Sequence, residues 1–418
     1  MSFHSFIIIL MKKLELLAPV GNYERLEAAI NYGADAVYFG GTRFGLRAFA
    51  NKFDEELMTK AVNFCHENGV KAYITVNILA HNADFDGLVD YLKFLESIKV
   101  DALIVSDLGI ASLVKKYTNL ELHVSTQANI TNKFSAMEWV KFGAKRLVLA
   151  RELSLPEIKE IKEYVGNDVD IECFVHGAMC ISYSGRCQLS NYFTGRDSNK
   201  GACAQPCRWN YAIYSKNEES DLNEYYPIEE DERGTYILNS KDLCLINHIK
   251  ELADAGITSF KIEGRMKSTY YVATVVNAYR RAIDNVLNNK KPDFDYIEEL
   301  KKTSNRTFTT GFYFNADDKT NLETSRLMQT HDFIASVIDD SKDGKVLVEL
   351  RNKFKVGDTL EVLSPTDSFN KQFKVEEIVN LKGVNLEEAK KVKEQLFINT
   401  KIPLKKGDIL RRKIENEI

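Results

Sequence analysis

Five of the seven cysteines lie within 65 consecutive residues, at Cys180, Cys187, Cys203, Cys207 and Cys244. Thiolates are the ligands that soft metals prefer, and four of them suit either a zinc ion or an iron–sulfur cluster. Zinc sites usually combine two short Cys-x2–4-Cys pairs, whereas only Cys203 and Cys207 are spaced in that way here. Ligands spread over separate loops fit an enclosed [4Fe–4S] cluster better. The spacing therefore favours iron–sulfur over zinc, with unligated buried thiols as a third alternative.

The cysteine count and the length favour a reduced, cytoplasmic protein. Seven cysteines are an odd number, which argues against a disulfide framework, and 418 residues can bury a core without one. The apolar run 6–10 is too short for a signal sequence, and no stretch approaches the roughly 20 apolar residues of a membrane span. Met11 offers a second start of translation. We predict that Cys65 and Cys173, outside the group, are inert buried thiols.

The net charge of −4 argues against a uniformly polycationic nucleic-acid binder. If the chain binds nucleic acid, it must do so through a local basic patch. Arg186, Arg196, Lys200 and Arg208 are interleaved with the cysteines, where they could hold phosphates or an anionic co-substrate. The alternative is that each of them is only a solvated loop charge.

The first 290 residues alternate short apolar strands with amphipathic helices, which is the pattern of a parallel α/β sheet. Eight strand–helix units in about 280 residues predict a closed (β/α)8 TIM-like barrel, an α/β fold, rather than an open doubly wound sheet. No GxGxxG follows the first strand, so a dinucleotide-binding fold has no support. The predicted strands cover 14–20, 36–40, 72–77, 102–107, 122–126, 146–150, 171–175 and 260–263.

A cysteine-rich insertion, residues 177–240, separates the seventh predicted strand from the eighth. Its later part holds eight acids within residues 218–232, which is typical of a solvated loop. We predict that 211–214 (YAIY) and 235–238 (TYIL) pair as an added hairpin on either side of that loop.

The chain after about residue 325 has the pattern of a separate all-β unit. Six segments alternate apolar and polar residues between Gly-Asp and Asp-Gly turns, which predicts a small C-terminal β-barrel. The predicted domains are therefore a barrel over 11–300, a linker over 301–327 and the small β-barrel over 328–418.

Polar residues end or follow several of the predicted barrel strands, and a parallel barrel builds its active site at those carboxyl ends. Asn77, His176, Glu263 and Arg265 are among them, and the cysteine-rich insertion begins directly after His176. A thiolate cluster would therefore lie at the same mouth as these groups. Taken singly, each has a structural alternative: His176 as a core histidine, and Glu152 or Glu263 as an ion-pair partner.

The sequence around Cys180 and Cys187 resembles the signature of the peptidase U32 family. The string ECFVHGAMC (172–180) is followed by YSGRC (183–187), and the blocks LAPVGN, AVYFGG, STQANITN, NSKDLC and KIEGRMKS are similar as well. The resemblance extends over most of the chain, including the C-terminal β-domain, and the long motif is highly specific.

This resemblance implies a cofactor and its ligands. It implies a [4Fe–4S] cluster held by Cys180, Cys187, Cys203 and Cys244, with Cys207 as the alternate fourth ligand. The catalytic candidates at the mouth are His176, Glu263 and Arg265. The substrate-binding candidates are Arg186, Lys241, Asn77 and Gln127.

The family resemblance further implies oxygen-independent hydroxylation, despite the word peptidase in the family name. The length and the small β-domain look most like the branch that converts the wobble uridine of tRNA to 5-hydroxyuridine, with prephenate as the implied hydroxyl donor. The implied partners are the tRNA anticodon loop, whose bases are already splayed, and a second, shorter protein of the same family. Neither a membrane nor DNA is expected as a partner.

Two other functions remain open. A U32-type, collagenase-like peptidase would need a zinc site or an activated nucleophile, but the chain has neither HExxH nor GxSxG. A Cys180–His176 pair is conceivable, although its nucleophile would lie among other metal-binding thiols. The last alternative is a non-catalytic iron–sulfur scaffold or redox partner, against which the many polar strand ends argue.

Overall fold

The computed structural model describes residues 14–46, 53–209, 213–216, 225–228, 240–314 and 327–415. The question of a second start at Met11 falls outside these ranges. None of the helices that they contain has the length and apolar character that a membrane crossing requires. The strands up to residue 309 are β1 (Glu15–Pro19), β2 (Ala36–Phe39), β3 (Lys71–Val76), β4 (Ala102–Val105), β5 (Glu121–Val124), β6 (Arg146–Val148), β7 (Asp170–Ala178), β8 (Ile213–Lys216), β9 (Tyr225–Ile228), β10 (Asp242–Cys244), β11 (Ser259–Ile262) and β12 (Phe308–Thr309).

Eight parallel strands close into a barrel, which confirms the predicted fold. Strands β1 to β7 pair in sequence order, and β11 pairs with both β7 and β1 and so closes the ring. Every residue of β2 and β4 is buried, because the barrel interior covers one side of each strand and the outer helices cover the other.

Helices surround the barrel and begin at the polar residues expected of N-caps. Asn22 and Asp54 each accept a hydrogen bond from the backbone N–H three residues further on, which satisfies a free donor of the first turn. The long helix after the eighth barrel strand begins after its cap Ser268. The helices are α1 (Tyr23–Asn31), α2 (Glu55–Glu67), α3 (Leu88–Ser97), α4 (Leu108–Tyr117), α5 (Lys133–Phe142), α6 (Leu155–Val165), α7 (Leu189–Thr194), α8 (Ile249–Asp254), α9 (Thr269–Leu287) and α10 (Tyr296–Leu300).

An extension of the barrel sheet at the mouth was not predicted from the sequence. Strand β7 is nine residues long, and β10 pairs with its last part in the antiparallel direction, so that Cys244 lies opposite His176 and Asp242 opposite Ala178. Strand β12 then pairs in parallel with β10. The chain that follows the insertion is thereby brought to the carboxyl end of the barrel.

The insertion contains a hairpin between two described strands, and the pairing that we predicted lies partly outside the described residues. Strand β8 pairs with β9, at 225–228, inside the segment that we expected to be only an acidic loop. The predicted partner 235–238 lies outside the described residues. The connection between β8 and β9 is short, which keeps the entropy cost of closing the hairpin low.

The C-terminal unit is antiparallel β structure, as predicted. Its strands are β13 (His331–Val337), β14 (Lys345–Leu350), β15 (Phe354–Lys355), β16 (Thr359–Leu363), β17 (Gln372–Lys374), β18 (Ile378–Asn380), β19 (Glu388–Ala389), β20 (Gln395–Asn399) and β21 (Ile409–Lys413). Seven of them form one sheet in the order β17-β16-β21-β13-β14-β20-β18. The predicted strand 373–379 is divided between the two edges, β17 and β18. Because only residues 375–377 separate these edges, the sheet rolls round into a barrel-like shape.

A buried ionic network joins the two domains. Arg411 of β21 is 0% exposed and donates hydrogen bonds to both carboxylate oxygens of Glu299 at 2.6 and 2.9 Å. Its Nε donates to Glu361 at 2.8 Å. Lys302 donates to Glu361 at 2.6 Å from the barrel side. Since each buried charge is paired, the network positions the β domain on the barrel without an uncompensated ion.

The segment 301–327, which we expect to act as a linker, packs closely on the barrel over its described part, 301–314. The backbone N–H of Leu155 donates to the Tyr313 carbonyl at 3.0 Å, and the Tyr313 hydroxyl donates to the Phe174 carbonyl at 2.8 Å. These contacts place residues 301–314 against the carboxyl end of β7, beside the insertion.

Candidate active site

Charged side chains fill the lower part of the barrel interior and pair with one another there. Arg146 donates to Glu15 at 2.5 Å and to Glu172 at 3.2 Å, and Lys261 donates to Glu172 at 2.6 Å. Burial opposes ionisation of Glu172, but the charges of Lys261 and Arg146 outweigh it and lower the pKa of this carboxyl group. The interior therefore holds a satisfied ionic layer, and space for a ligand is left only towards the mouth.

The insertion brings four cysteines into one electrostatic group. Cys180 lies two residues after β7, and Cys207 lies in the 3-10 turn Pro206–Arg208. Burial raises the pKa of Cys207 to about 11; Arg208 opposes this shift, while the thiols of Cys180, Cys203 and Cys187 add to it. The thiols of Cys180, Cys187 and Cys203 therefore act electrostatically on Cys207, and we call these four residues the four-thiol group.

Cys244 lies in a different environment from the other four. It is buried in β10 opposite His176, and the hydroxyl of Tyr279 donates to its Sγ at 4.0 Å. Burial raises the pKa of Cys244 to about 11. The structure thus groups the predicted alternate, Cys207, with Cys180, Cys187 and Cys203, and places Cys244 against an aromatic ring.

Four thiols are the donor set that a metal cluster requires, although the side chains are not arranged closely enough to hold one. In the described part of the chain, no three His, Cys, Asp or Glu side chains stand close enough together to hold a metal ion. The group nevertheless offers four soft ligands that are partly buried or exposed, and the backbone N–H of Gln205 donates to Cys203 Sγ at 3.3 Å. Backbone donors of this kind stabilise sulfur that carries negative charge.

Cys65 and Cys173 lie far from solvent, as predicted. Cys65 is buried in α2 and Cys173 in β7. Burial raises the pKa of both thiols, that of Cys65 to about 12. Both thiols lie within elements of the barrel, outside the insertion that carries the four-thiol group.

Glu152 holds the turn between Cys180 and Cys187, a role that the sequence did not indicate. Its carboxylate accepts hydrogen bonds from the Ser184 backbone N–H at 2.6 Å and from the Ser184 hydroxyl at 3.0 Å. Ser184 is buried and adopts the left-handed conformation, with φ of 46°. The structural alternative that we considered for Glu152 was an ion pair; its carboxylate instead offsets the strain of a left-handed residue. Its position directly after a barrel strand was the only available signal.

Polar side chains of the insertion also fix the turn that carries Cys187. The Ser198 hydroxyl donates to the Cys187 carbonyl at 2.5 Å, and the Asn199 amide donates to it at 3.1 Å. Lys200 forms an ion pair with Asp84 at 2.6 Å, which ties the insertion to the loop after β3. Lys200 is therefore engaged by the protein and is not a solvated charge.

The three catalytic candidates converge on the mouth, in different surroundings. His176 is 3% exposed and packs among the rings of Tyr271, Tyr279 and Phe308. Burial lowers its pKa to about 3, so the imidazole is neutral at physiological pH. The backbone N–H of Glu263 donates to the His176 carbonyl at 2.8 Å, and its side chain is half-buried.

Arg265, the third catalytic candidate, is buried beneath the mouth. Its Nη1 donates to the Leu46 carbonyl at 2.9 Å and to the Thr75 hydroxyl at 3.2 Å. These bonds position the guanidinium between the ends of two barrel strands and the loop after β2.

The substrate-binding candidates divide into buried and exposed groups. Asn77 is buried, accepts from the Leu46 N–H at 3.4 Å and donates to the Ser125 hydroxyl at 3.3 Å. Gln127 is half-buried, and a Cβ placed on Gly185 would lie 3.7 Å from its amide nitrogen. Lys241 is half-buried and Arg186 is exposed.

An exposed aromatic face covers the outer surface of the insertion. Tyr192 is 84% exposed, and its ring centroid lies 5.3 Å from that of Phe193, which in turn lies 6.0 Å from that of Trp209. The insertion carries four cations and one acid, Asp197, over residues 177–209, although the whole chain has a net charge of −4. Aromatic rings interleaved with positive charge are typical of surfaces that bind single-stranded nucleic acid.

Comparison with known proteins agrees with this architecture. Residues 21–323 match the profile described as peptidase family U32, and residues 329–411 match that of the peptidase family U32 C-terminal domain. The chain is 43% identical to tRNA hydroxylation protein P1 of Bacillus subtilis over 85% of both chains.

Of two further relatives, one is shorter than this chain and the other carries a different name. The chain is 38% identical to tRNA hydroxylation protein P2 of the same bacterium, over 73% of this chain and 98% of that shorter protein. It is 36% identical to a protein named collagenase in Porphyromonas gingivalis, over 72% of this chain and 73% of the relative. With both of its domains matched, the chain belongs to the peptidase U32 family.

Proposed function

We propose that this protein hydroxylates tRNA, converting the wobble uridine to 5-hydroxyuridine in an oxygen-independent, iron–sulfur-dependent reaction with prephenate as hydroxyl donor. The names of its relatives support the general role in tRNA hydroxylation. The proposed substrate places the protein in the cytoplasm. The observation that carries the proposal is that one insertion at the barrel mouth carries both the four-thiol group and a set of exposed aromatic and basic side chains.

Cys180, Cys187 and Cys203 would hold a [4Fe–4S] cluster, with Cys207 as the fourth ligand that the geometry favours and Cys244 as the alternative. When bound, such a cluster supplies one-electron redox chemistry without the need for O2. The Gln205 backbone N–H and the guanidinium of Arg208 would stabilise the negative charge of the thiolates.

The chain itself supplies the means to bind and orient an RNA loop. The rings of Tyr192, Phe193 and Trp209 offer stacking surfaces for unpaired bases, each worth about 1–3 kcal/mol. The Arg186 side chain is exposed and forms no contact with a described residue, so it is available for a phosphate. Asn77 and Gln127, which follow β3 and β5, would recognise the edge of a uracil.

The environment of His176 argues against the peptidase alternative. A cysteine protease needs a histidine that accepts the proton of the nucleophile and contacts the substrate. His176 is instead enclosed by aromatic rings, and its near neighbour Tyr279 lies 3.4 Å from Nδ1. No observation separately favours a non-catalytic scaffold. If the experiment below finds no hydroxylation of tRNA, the scaffold becomes the better account.

The proposal is tested by mass spectrometry of tRNA nucleosides from a strain that lacks this protein and every other U32 protein. Expression of the wild-type chain should restore 5-hydroxyuridine at the wobble position, and Cys187→Ala should not. Cys65→Ala is the matched control, because it removes a buried thiol of α2 outside the four-thiol group, and it should restore the modification. If the wild-type chain restores it only together with a shorter relative, that relative is a required partner. Normal wobble modification in the deletion strain would refute the proposal.

A further inference from the structure

Three cations from separate parts of the chain meet beside the four-thiol group, and no function has yet been assigned to them together. Arg208 lies in the turn that carries Cys207, Lys267 lies between β11 and α9, and Arg306 precedes β12. Arg306 forms an ion pair with Asp242, the first residue of β10, and Lys267 is influenced electrostatically by Asp242, Arg306 and Arg208. We call this set the cation cluster.

Contacts with the protein leave much of the binding capacity of the cation cluster unused. Lys267 donates only to Ser304, at 3.1 Å to the carbonyl and 3.4 Å to the hydroxyl. Arg208 donates to the Met179 carbonyl at 3.0 Å. Neither of them forms an ion pair with any described residue. Arg306 pairs with Asp242 at the long distance of 3.5 Å.

One donor in the cluster is buried without a partner. Nη1 of Arg208 is shielded from solvent and finds no acceptor in the described part of the chain. Other buried arginines of the described residues leave only an Nε in this state, so Arg208 is distinguished by an unused terminal nitrogen. A buried donor without an acceptor is costly, and native proteins normally satisfy it, often with a ligand.

The charges of the cluster do not balance. Three cations face one carboxylate, and Arg306 and Asp242 are 8% and 3% exposed. Burial lowers the pKa of Lys267; Asp242 opposes this shift, and Arg306 and Arg208 add to it. Burial and Arg208 likewise lower the pKa of Arg306. An excess of positive charge in a partly buried site attracts an anion, since bound negative charge removes the mutual repulsion.

We infer that Arg208, Lys267 and Arg306 form the binding site of a small dicarboxylate beside the four-thiol group. Arg208 and Arg306 offer two planar guanidinium forks, each suited to bidentate recognition of one carboxylate group. The ring of Tyr271, whose centroid lies 5.1 Å from Lys267 Nζ, supplies an apolar wall for the body of the ligand. The burial of the cluster favours a small molecule over the backbone of an RNA. The inference rests on the proposed function only in that this ligand would be the hydroxyl-donating co-substrate.

The test is isothermal titration calorimetry of the anaerobically purified full chain with prephenate, and separately with inorganic phosphate and oligouridylate. Prephenate should bind the wild type, and Lys267→Gln and Arg306→Gln should each weaken binding roughly tenfold or more, the value of a lost charged hydrogen bond. Asp242→Asn should tighten binding, because it removes the one opposing charge and keeps the acceptor for the Arg306 N–H. Lys301→Gln, a surface change on a residue paired with Glu298, is the matched control and should bind like the wild type.

Opposite effects of Lys267→Gln and Asp242→Asn cannot arise from misfolding, which would weaken binding in both variants. The inference is overturned if prephenate does not bind the wild type, or if Lys267→Gln binds it equally well. Equal affinity of the wild type for phosphate and prephenate would also overturn it. So would Lys267→Gln and Arg306→Gln variants that lose oligouridylate binding and keep prephenate binding. If iron content falls in parallel with prephenate affinity, the cations serve to offset thiolate charge and the inference is wrong. Prephenate binding by a protein that fails to modify tRNA would refute the proposed function and leave this site standing.

Discussion

Replacing Glu152 by alanine should release the turn between Cys180 and Cys187 while leaving the barrel folded. The carboxylate accepts two hydrogen bonds from Ser184, which is 1% exposed and left-handed. Hydrogen bonds to a charged group contribute about 1.5–3 kcal/mol, and Glu152 is half-buried, so we use the lower value for each. The loss of about 3 kcal/mol corresponds to about two orders of magnitude in the population of the observed turn.

The assay is iron content per chain after anaerobic purification, together with limited proteolysis of the insertion and a thermal melt. Glu152→Ala should lose most of its iron and be cleaved faster in the insertion, with little change in the melting of the barrel. Adding Ser184→Gly should restore part of the iron, because glycine adopts the left-handed conformation without a cost of about 1–2 kcal/mol.

Glu157→Ala is the matched control for this prediction. Glu157 also accepts hydrogen bonds from the N–H and hydroxyl of one serine, Ser154, at 2.8 and 2.6 Å, but it does so at the start of α6. Its replacement should lower stability slightly by weakening the helix cap and should leave the iron content unchanged. Full iron retention in Glu152→Ala, or equal loss in both variants, would show that the turn does not depend on the Glu152 carboxylate.

Three further outcomes follow from the contacts described above. Cys207→Ala should abolish iron binding and Cys244→Ala should retain it; iron analysis showing the reverse would assign Cys244 as the fourth ligand. Arg411→Met should destabilise the protein by about 3 kcal/mol in urea unfolding, because the buried Glu299 loses both Arg411 hydrogen bonds and keeps only its ion pair with Lys302 at 3.0 Å; an unchanged midpoint would contradict that reasoning. Burial lowers the pKa of His176 to about 3, so the unfolded chain binds a proton that the folded chain does not, and stability should fall as pH drops from about 6.5 towards 3. His176→Phe should reduce this pH dependence in thermal melts, and an identical pH profile would refute it.

The sequence by itself determined the barrel and the position of the thiols relative to it. Strands such as β2 and β4 are short, continuous apolar runs because both of their faces are buried. Such runs can be predicted as strands from the sequence without any tertiary information. The insertion begins where β7 ends, and carboxyl ends of parallel strands meet at one mouth. Chain order alone therefore placed Cys180 and His176 at the same end of the barrel.

Only the tertiary structure decided which groups act together at that mouth. The antiparallel pairing of β10 with β7 sets Cys244 opposite His176, and this separates Cys244 from the thiols that surround Cys207. The hydrogen bonds from Ser184 to Glu152 join residues 32 positions apart in the chain. The cation cluster likewise combines three segments that have no common spacing or motif. Such contacts depend on how distant strands and turns pair, and the local apolar pattern that specifies each element carries no information about its distant neighbours.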